Sequence, residues 1–199
     1  MKQVFDNLKD YHILLVSGSP RRRELLERLG LTFSIGRSEV EETYPEGLSC
    51  EEIPQYLSRL KAMHCSPAPE PDSLVIAADT IVCCEGRVLG KPASYQEAFD
   101  MLRLLSGRRH RVITGVTILT RSIVRSFHAV TTVTFAPLTD EEIDFYLTRF
   151  RPYDKAGAYG IQEWIGMIGV KDIQGSYYNV MGLPVYRLYD ELKQLPPCC

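Results

Sequence analysis

Two serines and two arginines share one short segment, Ser17-Gly18-Ser19-Pro20-Arg21-Arg22. The apolar run 13–16 predicts a buried strand before this segment, and Pro20 suits the first position of a helix after it. The first N–H groups of a helix have no intrahelical partner and carry partial positive charge, so such a turn attracts anions. The residues therefore indicate a phosphate site, although an ordinary strand–helix turn with solvated arginines fits the same spacing.

Asp79 and Thr80 follow directly after the apolar run 74–78. Ligands of α/β sheets gather at the carboxyl ends of strands. A carboxylate at such an end can bind a divalent metal or take a proton from water. The alternative is that Asp79 caps a turn into the hairpin that residues 81–89 predict. The sequence leaves both interpretations open.

Two lysines and an acidic pair could add charge to such a site. Lys91 lies in Gly90-Lys91-Pro92, whose flanking residues restrict the backbone, and Lys61 lies near the end of a predicted helix. Glu42, in the pair Glu41-Glu42, could give a metal a second carboxylate. Each of these side chains could equally be a solvated surface group.

Gln162 ends the segment 154–162, which contains two glycines and two alanines. Small residues let backbones approach one another closely. A carboxamide both donates and accepts hydrogen bonds, which suits the edge of a pyrimidine base. The alternative is a tight turn with a packing glutamine.

Helix-start patterns predict the framework that must position these residues. Three capping boxes, each a Ser or Thr followed three residues later by Glu, predict helices over about 49–64, 94–107 and 139–150. Residues 20–29 and 184–195 predict two more helices, and residues 154–175 predict short strands. Residues 109–120 and 123–135 alternate well enough to pair as antiparallel strands. We therefore predict a mixed α/β fold and not a simple doubly wound sheet.

Composition restricts the function classes. The chain has 199 residues and a net charge of -2, whereas a protein that coats nucleic acid or a membrane surface needs a basic excess. No apolar run is long enough for a membrane span, and the N-terminal residues do not form a signal peptide. The six cysteines include two adjacent pairs and no C-x-x-C, which we interpret as reduced thiols of a cytoplasmic protein.

In their order and spacing these segments resemble the Maf family of nucleotide pyrophosphatases, also called septum formation proteins. The resemblance covers nearly the whole chain, and its segments are residues 17–26, 39–42, 61–62, 78–80, 90–92, 105–107, 110–114, 154–162 and 175–184. Residues 163–169 depart from the glycine-rich stretch of many members.

The resemblance implies an architecture like that of inosine triphosphate pyrophosphatase. That architecture is a long, curved mixed β-sheet flanked by helices, with two lobes around a cleft. We expect one catalytic domain over residues 1–195 and a disordered tail over residues 196–199. Relatives of this kind also suggest a homodimer in the cytoplasm.

The same resemblance implies hydrolysis of dTTP and UTP, or of modified pyrimidine nucleotides, to monophosphate and pyrophosphate with Mg²⁺ or Mn²⁺. The active-site acid falls on Asp79. The residues that select the base fall on Arg21, Thr80 and Gln162. The remaining expected roles are phosphate binding by Ser17, Arg22, Lys61 and Lys91, and metal binding by Asp79 with Glu42. Two alternatives are a nucleotide-binding regulator of cell division with little catalysis and a nucleotidyltransferase that needs an acceptor.

Overall fold

A computed structural model describes residues 4–198, and within them the chain forms seven α-helices and eight β-strands. In chain order they are β1 (His12–Val16), α1 (Pro20–Arg28), β2 (Ser34–Ser38), α2 (Glu52–Met63), β3 (Cys65–Ser66), β4 (Ser73–Cys84), β5 (Arg87–Leu89), α3 (Tyr95–Leu105), β6 (Arg109–Leu119), β7 (Val124–Phe135), α4 (Asp140–Phe150), α5 (Trp164–Gly169), β8 (Val170–Gln174), α6 (Tyr177–Met181) and α7 (Val185–Lys193). Short 3₁₀ turns occur at Asp6–Leu8 and Ala156–Ala158.

The strands of the described chain form one mixed sheet in the order β3-β2-β1-β4-β6-β7-β8, with β5 paired to β4. Strands β2, β1 and β4 run parallel, and Leu14 pairs with Ser34 on one side and with Val75 on the other. The pairs β2–β3, β4–β5 and β7–β8 are antiparallel. The predicted mixed α/β class is therefore confirmed.

Local sequence signals explain where several helices begin and end. Pro20 takes the first position of α1, and Gly30, just after that helix, has a φ of +86°, which glycine adopts without strain. Thr139 and Glu142 form both hydrogen bonds of a capping box at the start of α4. Ser49 and Glu52 exchange the same pair of contacts beside α2.

The chain folds into two compact units. The first unit contains residues 4–79, 114–129 and 182–198, and its core includes an apolar cluster of Leu14, Val16, Ala62, Val75 and Ala77. The second contains residues 80–113 and 130–181. Its core includes the ring cluster of His110, Phe135 and Tyr159, whose centroids lie 4.9–5.5 Å apart.

Two local predictions need correction. Strand β4 continues without a break through Asp79 and Thr80, so the prediction that Asp79 lies at the carboxyl end of a strand is wrong, and so is the alternative of a turn capped by Asp79. The polar pair interrupts the apolar run but not the strand, because apolar residues resume at once and are buried. Residues 154–175 contain α5 as well as the expected strand, since the Glu163 carbonyl accepts the N–H groups of Gly166 and Met167 and starts a helix.

The cysteines also differ from expectation. Cys65 and Cys84 carry free thiols, and burial raises the pKa of both. Cys50 and Cys83 are each disulfide-bonded, so the prediction of reduced thiols is wrong for these two.

Between residues 4 and 198, no helix is long and apolar enough to cross a membrane. The predicted disordered tail stays a prediction, and Cys199 lies outside the described residues.

Candidate functional site

The turn between β1 and α1 carries Ser17 on the first unit. The Ser17 hydroxyl oxygen accepts the Ser19 N–H at 3.2 Å and an Arg22 guanidinium N–H at 3.3 Å. The Ser19 side chain makes no capping hydrogen bond, so it does not satisfy the first N–H groups of α1. A Cβ added at Gly18 would meet no atom within 4 Å, which leaves space beside the turn. The turn therefore keeps the features of an anion site.

Arg22 connects this turn to two other segments of the first unit. Its Nε donates to the Gly182 carbonyl at 2.7 Å and its Nη1 to the Ala78 carbonyl at 2.8 Å. Burial lowers the pKa of the Arg22 guanidinium, while the negative charge of Asp79 acts in the opposite direction. Arg22 thus directs donors to the protein itself and places its positive charge near Asp79.

Lys61 lies between two carboxylates. Its Nζ is 2.5 Å from Asp79 Oδ1 and 2.8 Å from Glu42 Oε1. The Asp79 side chain is 9% exposed and that of Lys61 12%, whereas the Glu42 side chain is 46% exposed. A buried carboxylate costs free energy unless a counter-charge accompanies it, and Lys61 supplies that charge. The outer carboxylate, Glu42, remains open to solvent.

The position of Lys61 depends on how helix α2 packs against strand β6. A Cβ on Gly115 would lie 2.2 Å from the Pro54 carbonyl carbon, so the helix backbone rests directly on the strand at this glycine. The buried Ser58 hydroxyl lies 3.0 Å from the Thr117 hydroxyl, which lies 2.8 Å from that of Ser126. These contacts fix the position of α2 on strand β6. Lys61 lies one helical turn beyond Ser58.

Three other predicted residues belong to the second unit. Thr80 is half-buried in β4, while Lys91 and Gln162 are exposed. The Gly157 N–H donates to the Gly90 carbonyl at 3.0 Å, which ties the loop of Lys91 to the segment that leads to Gln162. Within the second unit, Lys91 and Gln162 therefore belong to connected loops.

Sequence reasoning missed a polar network around Gln162. The Lys155 ammonium, on a residue only 8% exposed, lies 2.9 Å from Glu163, and the Tyr146 hydroxyl donates to the other Glu163 oxygen. The Gly160 N–H in turn donates to the Tyr146 oxygen at 3.0 Å. The available signal was the presence of two charged residues, Lys155 and Glu163, in and next to a segment of small residues. The sequence did not show that Glu163 pairs with Tyr146 of helix α4.

The structure thus joins five of the predicted residues by direct contacts. Ser17 contacts Arg22, and Lys61 contacts both Asp79 and Glu42. Arg22 reaches the backbone of Ala78, the residue before Asp79. Arg21 follows Pro20 at the start of the same α1 helix. Thr80, Lys91 and Gln162 lie in the other unit.

Comparison with known proteins gives consistent matches over nearly the whole chain. The family model described as "Maf-like protein" matches residues 12–195. A dTTP/UTP pyrophosphatase of Phocaeicola vulgatus is 55% identical, with 96% of this chain and 100% of that protein covered. Proteins of the same name from Cytophaga hutchinsonii and Porphyromonas gingivalis are each 54% identical, cover 96% of this chain, and are themselves covered over 87% and 97%. The chain belongs to the Maf family.

Proposed function

We propose that this protein is a nucleoside triphosphate pyrophosphatase that hydrolyses dTTP and UTP to the monophosphate and pyrophosphate. The observation that carries the proposal is the Asp79–Lys61–Glu42 cluster, in the same unit as the β1–α1 turn. It combines a shielded acid with positive charge, which hydrolysis of a phosphoanhydride requires. The names of the relatives supply the substrate class.

The positive groups bind and orient the triphosphate. Ser17 uses its oxygen to accept two hydrogen bonds, so its hydroxyl hydrogen is the donor we assign to a phosphate oxygen. Arg21 and the N–H groups of the α1 start add further donors. Arg22 acts mainly by holding the turn to the Ala78 and Gly182 carbonyls. Lys61 and Lys91 offset the charge that develops on the leaving pyrophosphate.

Asp79 orients the attacking water and accepts its proton. Its carboxylate is 9% exposed on the side chain and is held by Lys61, so its position is fixed before substrate binds. The water attacks the α-phosphorus, the bond to the bridging oxygen breaks, and pyrophosphate leaves with both electrons of that bond. The second product is the nucleoside monophosphate.

Asp79 and Glu42 are also the residues that would hold a divalent cation. Both carboxylates contact the Lys61 ammonium, so they lie close enough together to share a divalent cation beside it. Carboxylate oxygens suit Mg²⁺ and Mn²⁺, and Mg²⁺ is often bound by one or two carboxylates together with substrate phosphates. When bound, such a cation neutralises phosphate oxygens and makes a coordinated water more acidic.

Base selection is assigned to Arg21, Thr80 and Gln162. The Thr80 hydroxyl and the Gln162 carboxamide can each donate and accept, as the polar edge of thymine or uracil requires. An exposed Gln162 side chain is available to a ligand. Modified pyrimidine nucleotides present a similar edge and belong to the same proposed substrate class.

The decisive experiment is pyrophosphate release from dTTP and UTP with Mg²⁺ or Mn²⁺. Asp79→Asn should lower kcat by about 100-fold or more while nucleotide binding, measured by calorimetry, persists. The matched control is Asp72→Asn, an exposed acid just before the same strand, which should behave like the wild type.

Other outcomes would favour the alternatives. A protein that binds dTTP tightly and releases no pyrophosphate would favour the regulator, and turnover only with an added acceptor would favour a nucleotidyltransferase. Near wild-type hydrolysis by Asp79→Asn would show that Asp79 has another role.

Two further properties complete the proposal. We place the protein in the cytoplasm, where nucleoside triphosphates are made and used, and we expect a homodimer. Light scattering coupled to size-exclusion chromatography tests the second statement, because a monomer of 22.6 kDa would elute with half the expected mass.

A further inference from the structure

Gln162 lies at the third position of a turn whose two ends are held by the same side chains. The Glu163 N–H donates to the Gly160 carbonyl at 3.0 Å and closes the turn. Ile161 is buried, whereas Gln162 is exposed. The place of an exposed side chain at a turn depends on how firmly the turn ends are held, because the turn itself contributes one hydrogen bond.

Tyr146 of helix α4 connects both ends of that turn. Its oxygen accepts the Gly160 N–H at 3.0 Å, and its hydroxyl donates to Glu163 Oε2. Tyr146 is fully buried, and burial followed by the Glu163 contact raises the pKa of its phenol far above the ordinary value. The hydroxyl therefore keeps its proton and its donor role at any working pH.

Lys155 completes the network from the other side. Its ammonium lies 2.9 Å from Glu163 and 2.8 Å from Asp154. A Cβ on Gly160 would fall 2.8 Å from the Glu163 carboxyl carbon and 3.0 Å from Lys155 Cε, so both side chains press on the turn. A shielded ion pair with further hydrogen bonds resists displacement more than an exposed pair does.

We infer that Tyr146, Lys155 and Glu163 are positioning residues that fix the Gln162 turn and thereby set pyrimidine selectivity. The inference rests on the proposed function, since it assigns Gln162 to the base. None of the three needs to touch the nucleotide. Loosening the network should make the carboxamide less well placed for thymine or uracil and should leave the phosphate contacts of the first unit unchanged.

The test compares Tyr146→Phe and Glu163→Gln with the matched control Tyr95→Phe. The hydroxyl of Tyr95, in α3, also donates to a carboxylate, that of Asp144, at 2.7 Å. Asp144 lies in α4, as Tyr146 does, but its contact with Tyr95 is exposed to solvent. We expect KM for dTTP and UTP to rise about tenfold in the two network variants, with kcat nearly unchanged. The ratio of kcat/KM for dTTP to that for dGTP should fall by a similar factor, and Tyr95→Phe should keep both values.

A double variant separates positioning from a general loss of structure. If Tyr146 acts through Gln162, Tyr146→Phe should add little to the effect of Gln162→Ala. An unchanged dTTP preference in both network variants, equal losses for dTTP and dGTP, or full additivity with Gln162→Ala would overturn the inference.

Amide hydrogen exchange over residues 160–163 gives a readout that does not depend on activity. Tyr146→Phe should speed exchange in this turn and Tyr95→Phe should not; equal rates in the two variants would contradict the proposed positioning. If the wild type releases no pyrophosphate from any nucleotide, the proposed function fails. If the wild type is active and Tyr146→Phe changes neither the preference for dTTP nor the exchange rates, the positioning role alone is refuted.

Discussion

The Lys61 ammonium and the Asp79 carboxylate form a largely shielded ion pair, 2.5 Å between Nζ and Oδ1. Removal of the lysine leaves a buried carboxylate without its partner, and leaves the leaving group without one of its counter-charges. We therefore expect Lys61→Met to lower kcat/KM for dTTP by about 100-fold, measured as pyrophosphate release. Lys171→Met, at an exposed lysine of β8, is the control. Activity of Lys61→Met within about threefold of the wild type would exclude a role for this pair.

The close approach of α2 to β6 makes Gly115 a sensitive position. In Gly115→Ala the added Cβ would sit 2.2 Å from the Pro54 backbone, so the helix must move or the strand must bend. We expect a loss of about 3 kcal/mol in the free energy of unfolding, measured by urea denaturation. Activity should fall as well, because α2 carries Lys61.

Gly90→Ala is the matched control for that measurement. A Cβ at Gly90 would meet no atom within 4 Å, and its φ does not lie in the left-handed region. Its stability should stay within about 0.5 kcal/mol of the wild type. Equal stability of the two variants would mean that α2 does not rest on β6 as described.

His110 should make the protein less stable in acid. Burial lowers the pKa of His110 from 6.5 to about 4, while its Nε2 contacts the Tyr159 hydroxyl. Because the folded pKa is lower than the unfolded one, the unfolded state binds a proton first as the pH falls. This residue therefore destabilises the fold between pH 6.5 and about 4, with a slope that approaches about 1.4 kcal/mol per pH unit.

Urea denaturation at several pH values tests this dependence. His110→Phe should flatten the acid side of the stability profile, whatever its effect at neutral pH. His128→Phe, at an exposed histidine, should retain the wild-type slope. Identical slopes for the wild type and His110→Phe would assign the acid sensitivity to other groups.

Local signals predicted much of the framework and single residues of the site. Pro20, Gly30 and the Thr139–Glu142 box marked helix ends that the structure has at those places. The small-residue turn after β1 was likewise evident. These features depend on neighbours in the chain, whose preferences are encoded locally.

Long-range contacts could not be predicted in the same way. The Lys61–Asp79 pair forms because α2 packs on Gly115, which comes 36 residues after Asp79 in the chain. The polar pair Asp79–Thr80 looked like a strand end because sequence alone does not show that Lys61 compensates the buried charge. In the sequence, Tyr146 falls among the residues that form the buried face of α4. Only its contacts with Gly160 and Glu163 reveal the polar role of its hydroxyl.

The most direct test of the proposed chemistry is hydrolysis of dTTP in water labelled with ¹⁸O, with mass analysis of both products. Attack on the α-phosphorus with loss of pyrophosphate places one labelled oxygen in the monophosphate and none in pyrophosphate. We expect that distribution for the wild type, and labelled monophosphate should form at least about 100-fold more slowly with Asp79→Asn. Label in pyrophosphate, release of inorganic phosphate as the first product, or labelled monophosphate at the wild-type rate from Asp79→Asn would contradict it.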